Sequence, residues 1–259
     1  MKEYLDFAVN IALYAGTIME EYFNKDKSVE FKEDRTPVTI ADKIINNYLI
    51  EKVKEKYPKH KVIGEEAIFD NKSRCAWVCD PIDGTSAFMR GIPISVFSLA
   101  YVEDGVPLVG VVYNPFQDEM YTAIKGHGAY LNGQRLHVNK KKYGELGSVI
   151  DYCMWHNAKY DTLKIVSEIR ENNKTSSMGS VAHACMLVAN GSISGVIFPG
   201  SSHGECDIAA SKLIVEEAGG KTCNFKGSNQ RYDKDIDGFV ATNKVIHKEL
   251  IDKIKEVYK

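Results

Sequence analysis

Two aspartates close together in the chain give the clearest chemical signal in the sequence. Asp80 and Asp83 lie on either side of Pro81-Ile82 in the segment WVCDPIDGTSAF, after an apolar run and directly before Gly84-Thr85. Two negative charges at this spacing repel each other unless a cation lies between them. The segment therefore predicts a cation site.

Further acidic residues share this position at the end of a predicted helix or strand, next to apolar residues. They are Asp42 in VTIAD, Glu65 with Glu66 in IGEE, and Asp207 in ECDIAAS. Carboxylates held at the rim of a core are costly without a partner, and clustered oxygen ligands suit Mg²⁺ or a similar hard cation. Taken singly, DPIDG is also typical of a surface turn and Asp207 of a helix cap. The prediction of a metal site rests on their joint occurrence.

The same segment also offers groups that bind a phosphate. We expect Pro81 to stiffen a turn after the strand, so that Asp80 lies at its tip and the Ile82 carbonyl is a further neutral ligand. Gly84 permits close approach of the backbone, and the amides of Gly84 and Thr85 are predicted to begin a short helix. Amides in that position bind phosphate oxygens.

Composition limits the classes of protein that the chain can represent. With 259 residues, 44% of them hydrophobic, it is long enough for one large core. A net charge of −2 gives no overall attraction to nucleic acid or to an anionic membrane. The six cysteines lack paired CxxC spacing, which argues against a zinc site and a disulfide framework. No apolar run reaches the length of a membrane span, and the N-terminus does not read as a signal peptide, so we expect a soluble, cytoplasmic protein.

The spacing of apolar residues indicates which elements position these groups. Helical spacing predicts helices over residues 4–23 and 40–57, the second beginning near Thr39 or Asp42. Shorter periods predict strands over 61–66 and 75–80, then antiparallel strands over 94–138 with turns at Asp104-Gly105, Asn114-Pro115 and Asn132-Gly133. The middle of the chain is therefore rich in strands.

The second half alternates between the two kinds of element. Strands are predicted over 148–154, 192–198 and 237–242, and helices over 159–171, 181–189, 207–218 and 244–257. This alternation predicts an α/β layered sandwich. We expect a single domain over 1–259, with a strand-rich section to about residue 145, a mixed section after it and one continuous core.

Several of these segments together resemble one known family. DRTPVTIAD, GEE, WVCDPIDGTSAF and DIAASKLIVEEAGG, with GVVYNP between them, are similar to the inositol monophosphatase family of magnesium-dependent, lithium-sensitive phosphatases. The resemblance implies an αβαβα sandwich, usually dimeric, with two or three Mg²⁺ ions that Mn²⁺ can replace. Glu65, Asp80 and the Ile82 carbonyl match the ligands of the first ion. Asp80, Asp83 and Asp207 match those of the second, and a third, weaker ion lies near Glu65.

The resemblance also implies roles in catalysis. Asp42 and Thr85 match a hydrogen-bonded pair beside the attacking water, and Glu65 helps to deprotonate that water. We expect the amides of Gly84 and Thr85 to contact the phosphate, and Gly179 and Ser180 match a family position that contacts the substrate ring. The expected reaction is a direct in-line displacement at phosphorus, without a phosphoenzyme.

The substrate is less well defined, because the second half departs from the family pattern. In GVIFPGSSHGECD, Phe198 or Gly200 stands near the position of a glutamate that bonds substrate hydroxyls, and Cys206 replaces a tryptophan. DGTSAFMRGIP is similar to histidinol-phosphate phosphatases, and Glu205 to 3′(2′),5′-bisphosphate nucleotidases. We expect a small phosphorylated metabolite, with inositol monophosphate ahead of those two, and a non-catalytic binding protein on the same fold as the alternative of another class.

Two histidines are left with open roles. His183, next to Ala182 on a predicted helix, is interpreted as structural rather than as a substrate contact. His203 lies in a Gly/Ser loop near Asp207, where both interpretations stand.

Overall fold

The computed structural model describes residues 1–23, 25, 30–31, 37–154, 158–201 and 203–258. Residues 34–36 of the DRTPVTIAD motif lie outside this part of the chain. The helices in the described residues are α1 (Lys2–Phe23), α2 (Ile40–Lys56), α3 (Thr85–Met89), α4 (Thr162–Ile169), α5 (Val181–Ala189), α6 (Gly204–Glu217) and α7 (His247–Val257). None of them is long and apolar enough to cross a membrane.

The strands fall into one small and two large sheets. In chain order they are β1 (Glu30–Phe31), β2 (Pro37–Val38), β3 (Lys61–Gly64), β4 (Ile68–Phe69), β5 (Cys75–Asp83), β6 (Val96–Glu103), β7 (Val106–Asn114), β8 (Glu119–Ile124), β9 (Ala129–Leu131), β10 (Gln134–Arg135), β11 (Val149–Tyr152), β12 (Lys174–Ser176), β13 (Gly195–Phe198), β14 (Lys221–Cys223) and β15 (Phe239–Thr242).

The first large sheet has eight strands in the order β10-β9-β8-β7-β6-β5-β3-β4. All its pairs are antiparallel except β3 with β5, which run parallel with Gly64 opposite Cys79. The predicted turns at Asp104-Gly105 and Asn132-Gly133 are confirmed as two-residue hairpins in which both residues have positive φ. This strand-rich section supplies Glu65, Asp80 and Asp83.

The second large sheet has five strands in the order β12-β11-β13-β15-β14. The first three run parallel, and β15 and β14 pair antiparallel. Sequence analysis missed β12 and β14, because three residues are too few for an alternating pattern to be recognised.

Buried side chains show how the helices and sheets are layered. One core cluster joins α1 and α2 to one face of the first sheet, a second joins α5 and α6 to both sheets, and a third joins α4 and α7 to the outer face of the second sheet. The layers therefore alternate helix, sheet, helix, sheet, helix. The predicted αβαβα sandwich is confirmed.

The strand that carries both aspartates is longer than predicted. β5 does not end in a turn at Asp80 but continues to Asp83, with a bulge between them: Asp80 pairs with Ser98, and Asp83 with Val96. Three steps along β5 thus match two along β6. Because side chains alternate between the faces of a strand, the extra residue brings Asp83 to the same face as Asp80.

Core packing agrees with this change of alternation. Ile82 packs in the cluster of α1 and α2 together with Trp77 and Cys79, although it is an odd number of residues from each of them. Ala76 and Val78, on the other face, pack in the cluster of α5 and α6. Both aspartates therefore face the middle helices.

A close contact between α2 and β3 makes Gly64 sensitive to substitution. A Cβ on Gly64 would lie 2.0 Å from Oδ1 of Asn46 and 2.8 Å from the Ala67 carbonyl oxygen. Asn46 is fully buried and donates to that same carbonyl at 3.1 Å, so it has no free space to move into. We expect Gly64→Ala to lower the free energy of unfolding by about 1–3 kcal/mol, as overpacking does.

Chemical denaturation of the purified variant measures this loss. Gly195→Ala is the matched control, because its Cβ would come no closer than 3.3 Å to any neighbour. Equal losses of unfolding free energy in the two variants would show that the contact with Asn46 is not the reason why Gly64 resists substitution.

Candidate active site

Three of the predicted ligands converge on one point between the first sheet and the middle helices. Oxygen atoms of Glu65, Asp80 and Asp207 all lie within 4.8 Å of one another. Glu65 follows β3, where its amide donates to the Cys79 carbonyl at 3.1 Å, so it comes next to Asp80 on the parallel strand. Asp207 comes from the first turn of α6, which begins three residues earlier than predicted, so Asp207 is not that helix's cap.

Asp83 is not one of the three residues whose oxygens converge, although it lies near them, and it is held by α5. Its Oδ2 accepts the Ser180 hydroxyl at 2.5 Å and the Ala182 amide at 2.7 Å. These donors lie at the beginning of α5, where amides have no acceptor within the helix. Its negative charge also raises the pKa of Asp80 and of Asp207, which places it within electrostatic reach of both.

Burial and mutual repulsion dominate the electrostatics of the cluster. Asp80, Asp83 and Asp207 are 2%, 7% and 9% exposed. Burial first, and neighbouring carboxylates second, raise the pKa of Asp80 and Asp207 well above the usual range. Burial raises the pKa of Asp83 to about 6, although the hydrogen bonds from Ser180 and Ala182 oppose the rise. A cluster of this kind is stable only when protons or a cation neutralise it.

The donor set identifies the kind of cation that fits. The carboxylates of Glu65, Asp80 and Asp207 are hard oxygen ligands. Burial raises the pKa of the nearby Cys79 and Cys206 thiols well above the usual value, so neither is a thiolate that would favour a soft metal. The residues therefore fit Mg²⁺ or Mn²⁺.

The expected hydrogen bond between Asp42 and Thr85 is absent in this structure. The Thr85 hydroxyl donates instead to the Ile82 carbonyl at 2.9 Å. Oδ2 of Asp42 accepts the amide of Thr39 at 2.8 Å and its hydroxyl at 2.5 Å. Thr39 caps α2 and Asp42 lies in its first turn, as predicted for the start of that helix, so the local capping interaction takes the carboxylate.

The second oxygen of Asp42 remains available. Oδ1 is buried and has no hydrogen-bond partner, and the side chain is fully buried. Burial, with repulsion from Glu65 and Glu66, raises the pKa of Asp42 to about 7. A buried acceptor without a partner is rare and costly in folded proteins, so this oxygen is a candidate acceptor for a bound molecule.

Gly84, next to Asp83 in the chain, packs against the segment that follows β12. Gly84 has φ of 86° and begins α3, and a Cβ there would lie 3.0 Å from Cβ of Ser180 and 3.1 Å from the carbonyl oxygen of Gly179. The Ser180 hydroxyl donates its one proton to Asp83 and also caps α5. It therefore has only acceptor capacity left for a substrate. Gly179 is exposed, with φ of 87°.

The remaining polar residues near the site have diverse environments. His183 is 8% exposed and lies 3.5 Å from the Asn114 amide nitrogen, and burial lowers its pKa, which agrees with the structural interpretation. His203 begins α6 with φ of 58° and lies 3.8 Å from the buried Glu205. Sequence analysis missed Asp151, a fully buried carboxyl on β11; the available signal was an acid between apolar residues in a predicted strand.

Comparisons with known proteins agree with this arrangement. The model of the inositol monophosphatase family matches residues 1–259. Inositol monophosphatase 2 of Solanum lycopersicum is 32% identical over 269 residues, covering 99% of each chain. The extragenic suppressor protein SuhB of Bartonella henselae has a similar structure, with a TM-score of 0.89, 28% identity and coverage of 98% of this chain and 99% of that chain.

A third relative, SaIMPase-II, has been solved with two different phosphate esters. The structure with bound inositol monophosphate has a TM-score of 0.82 and 26% identity, covering 99% of this chain and 94% of that chain. The structure with bound 2′-AMP has a TM-score of 0.82 and 27% identity, covering 99% and 95%.

The five-layer fold and its carboxylate cluster define a hydrolase of phosphoric monoesters. The chain belongs to the inositol monophosphatase family.

Proposed function

We propose that this chain is a Mg²⁺-dependent phosphatase of a small phosphorylated metabolite, with inositol monophosphate as its first candidate substrate. The observation that carries the proposal is the convergence of the oxygens of Glu65, Asp80 and Asp207 within 4.8 Å. A buried cluster of this charge needs a cation, and a cation beside phosphate-binding amides is suited to phosphoryl transfer.

Glu65, Asp80, Asp83, Asp207 and the Ile82 carbonyl would hold the Mg²⁺ ions, two or three by family resemblance. When bound, Mg²⁺ would neutralise the carboxylates, polarise the phosphoryl oxygens and lower the pKa of a nearby water.

The protein's own groups then bind and orient the reactants. The amides of Gly84 and Thr85, at the first turn of α3, donate to the phosphate oxygens. Glu65, half-buried at the end of β3, accepts a proton from the attacking water. Oδ1 of Asp42 accepts a hydrogen bond from the same water, since its other oxygen is already occupied by Thr39. If the Thr85 hydroxyl rotated away from the Ile82 carbonyl, it would be able to bond Asp42 and the same water.

The order of candidate substrates rests on the family and on the two ligands bound by one relative, SaIMPase-II. SaIMPase-II binds both inositol monophosphate and 2′-AMP. This supports a site that is specific for the phosphate group and tolerates different alcohol groups. Histidinol phosphate and a nucleotide 3′-phosphate therefore stay as alternatives. Five expectations from the sequence stay predictions: a single domain, a homodimer, inhibition by lithium, a cytoplasmic location, and the absence of nucleic-acid and membrane partners.

Phosphate release from a substrate panel tests the proposal. We expect inositol 1-phosphate to be hydrolysed with millimolar Mg²⁺ and not with EDTA, faster than histidinol phosphate, 3′-phosphoadenosine 5′-phosphate or 2′-AMP. No release from any of the four with Mg²⁺ or Mn²⁺ would overturn the phosphatase proposal and favour a binding role. If phosphate were released faster from a nucleotide, that nucleotide would take the place of inositol monophosphate as the first candidate substrate.

A further inference from the structure

A short segment of the second half, residues 176–182, is bound at its two ends by two buried carboxylates. At one end Asp151 accepts the Ser176 hydroxyl at 2.8 Å and the backbone amide of Met178. At the other end Asp83 accepts the Ser180 hydroxyl and the Ala182 amide. The donors lie at positions 176 and 178 for Asp151 and at positions 180, 181 and 182 for Asp83. One of the two carboxylates belongs to the proposed metal site, and the other does not.

The 176–182 segment also touches the phosphate-binding turn. The distances of 3.0 Å to Cβ of Ser180 and 3.1 Å to the carbonyl oxygen of Gly179, measured from a Cβ built on Gly84, show that the two backbones are in contact. A shift of this segment would therefore displace Asp83 and Gly84 together.

Asp151 is an unusual residue for its place in the fold. It is fully buried on β11, opposite Ser176 on β12 and Val196 on β13, and aspartate is disfavoured in such a strand. Its Oδ1 has no hydrogen-bond partner, and burial raises its pKa to about 7 against the opposing hydrogen bonds of Ser176 and Met178. A buried carboxyl with an unsatisfied oxygen lowers stability. The role of Asp151 is therefore sought in the segment that it binds through Ser176 and Met178.

We propose that Asp151 is a positioning residue of the active site. It fixes the 176–182 segment so that Ser180 and Ala182 turn the Asp83 carboxylate towards the cation and Gly84 stays in place for phosphate. The inference rests on the proposed metal-dependent site. Asp151 acts through the segment alone, because its own hydrogen bonds go to Ser176 and Met178.

Substitutions at Asp151 separate positioning from folding. Asp151→Val removes the acceptor while keeping a side chain that suits a buried strand, whereas Asp151→Asn keeps an oxygen that accepts from Ser176 and Met178. For Asp151→Val we expect the Mg²⁺ dissociation constant from calorimetry to rise about 10-fold or more, and kcat to fall by a similar factor, as for other residues that orient metal ligands. KM for the ester should change less, and Asp151→Asn should restore both values.

The matched control removes a similar bond elsewhere. The Thr222 hydroxyl, on β14, donates at 2.5 Å to Oε1 of Glu216, which lies on α6 nine residues beyond Asp207. Thr222→Val should lower the melting temperature and leave Mg²⁺ affinity unchanged.

The outcomes separate the inference from the proposed function. Wild-type Mg²⁺ affinity and kcat in a folded Asp151→Val protein would overturn the inference and leave the phosphatase intact. If Asp151→Val does not fold, Ser176→Ala decides: a weaker affinity for Mg²⁺ supports positioning, and an unchanged affinity overturns it. A wild-type protein that binds Mg²⁺ but releases no phosphate would overturn the function, while the calorimetric comparison of variants would still test Asp151.

Discussion

Asp83→Asn is expected to lower kcat by about 10³-fold or more while the protein stays folded, because it removes one charge from the metal cluster. Asparagine has nearly the same shape, and its carbonyl oxygen accepts the bonds that Ser180 and Ala182 donate to Asp83. Because burial disfavours the charged form of Asp83, the metal-free variant should be as stable as the wild type or more stable. Phosphate release at saturating Mg²⁺ and thermal unfolding measure the two effects.

Asp104→Asn is the control for this prediction. Asp104 is an exposed acid paired with Arg74 outside the site, and its replacement should leave kcat unchanged. Full activity in the Asp83→Asn protein would contradict the assignment of Asp83 to the metal site.

The metal-free protein is expected to lose stability as the pH rises from about 4 to about 7, and Mg²⁺ is expected to restore it. The pKa of Asp83 is about 6 and that of Asp42 about 7 in the fold, compared with 3.8 for an unperturbed aspartate. Between these values the folded state binds more protons than the unfolded state, so the free energy of unfolding falls as the pH rises. The rise in the pKa of Asp83 alone corresponds to about 3 kcal/mol. Asp80 and Asp207 act in the same direction.

Thermal unfolding with EDTA and with Mg²⁺, at about pH 5 and about pH 8, measures this dependence. Mg²⁺ should raise the melting temperature more at the higher pH, because protons compete with it for the same carboxylates at the lower pH. The Asp83→Asn protein should show a weaker dependence on pH in EDTA. A metal-free melting temperature that is constant or rises over this range would contradict the prediction.

The sequence predicted the layers and pointed to the three carboxylates that converge, because both depend on strong local patterns. Apolar spacing marked α1, α2 and the long strands, and the carboxylates stood out at the ends of apolar runs. The bulge in β5 could not be predicted, because DPID favours a turn locally and only pairing with β6 continues the strand. Tertiary contact decided the conformation there.

The hydrogen-bond partners of the site residues could not be predicted from the sequence either. Thr85 and Asp42 were expected to bond each other, but each found a nearer partner, Ile82 and Thr39 respectively. Ser180 was expected to face substrate, and its proton goes to Asp83, 97 residues away. Such choices depend on distances of a few tenths of an ångström, which composition and spacing do not encode.

The bulge in β5, rather than the identity of Pro81 and Ile82, brings the two aspartates to one side of the sheet. Replacing Pro81 or Ile82 would change packing, but Asp83 would still emerge on the side of α5 and α6. A strand of the same length without the bulge would alternate regularly over three steps and send that carboxylate to the opposite side, among the apolar side chains of α1 and α2. Deleting one residue there would leave two steps and keep both carboxylates on one side. The bulge thus offsets an odd spacing between the two aspartates, and a change that straightened β5 without removing a residue would separate their carboxylates without replacing either of them.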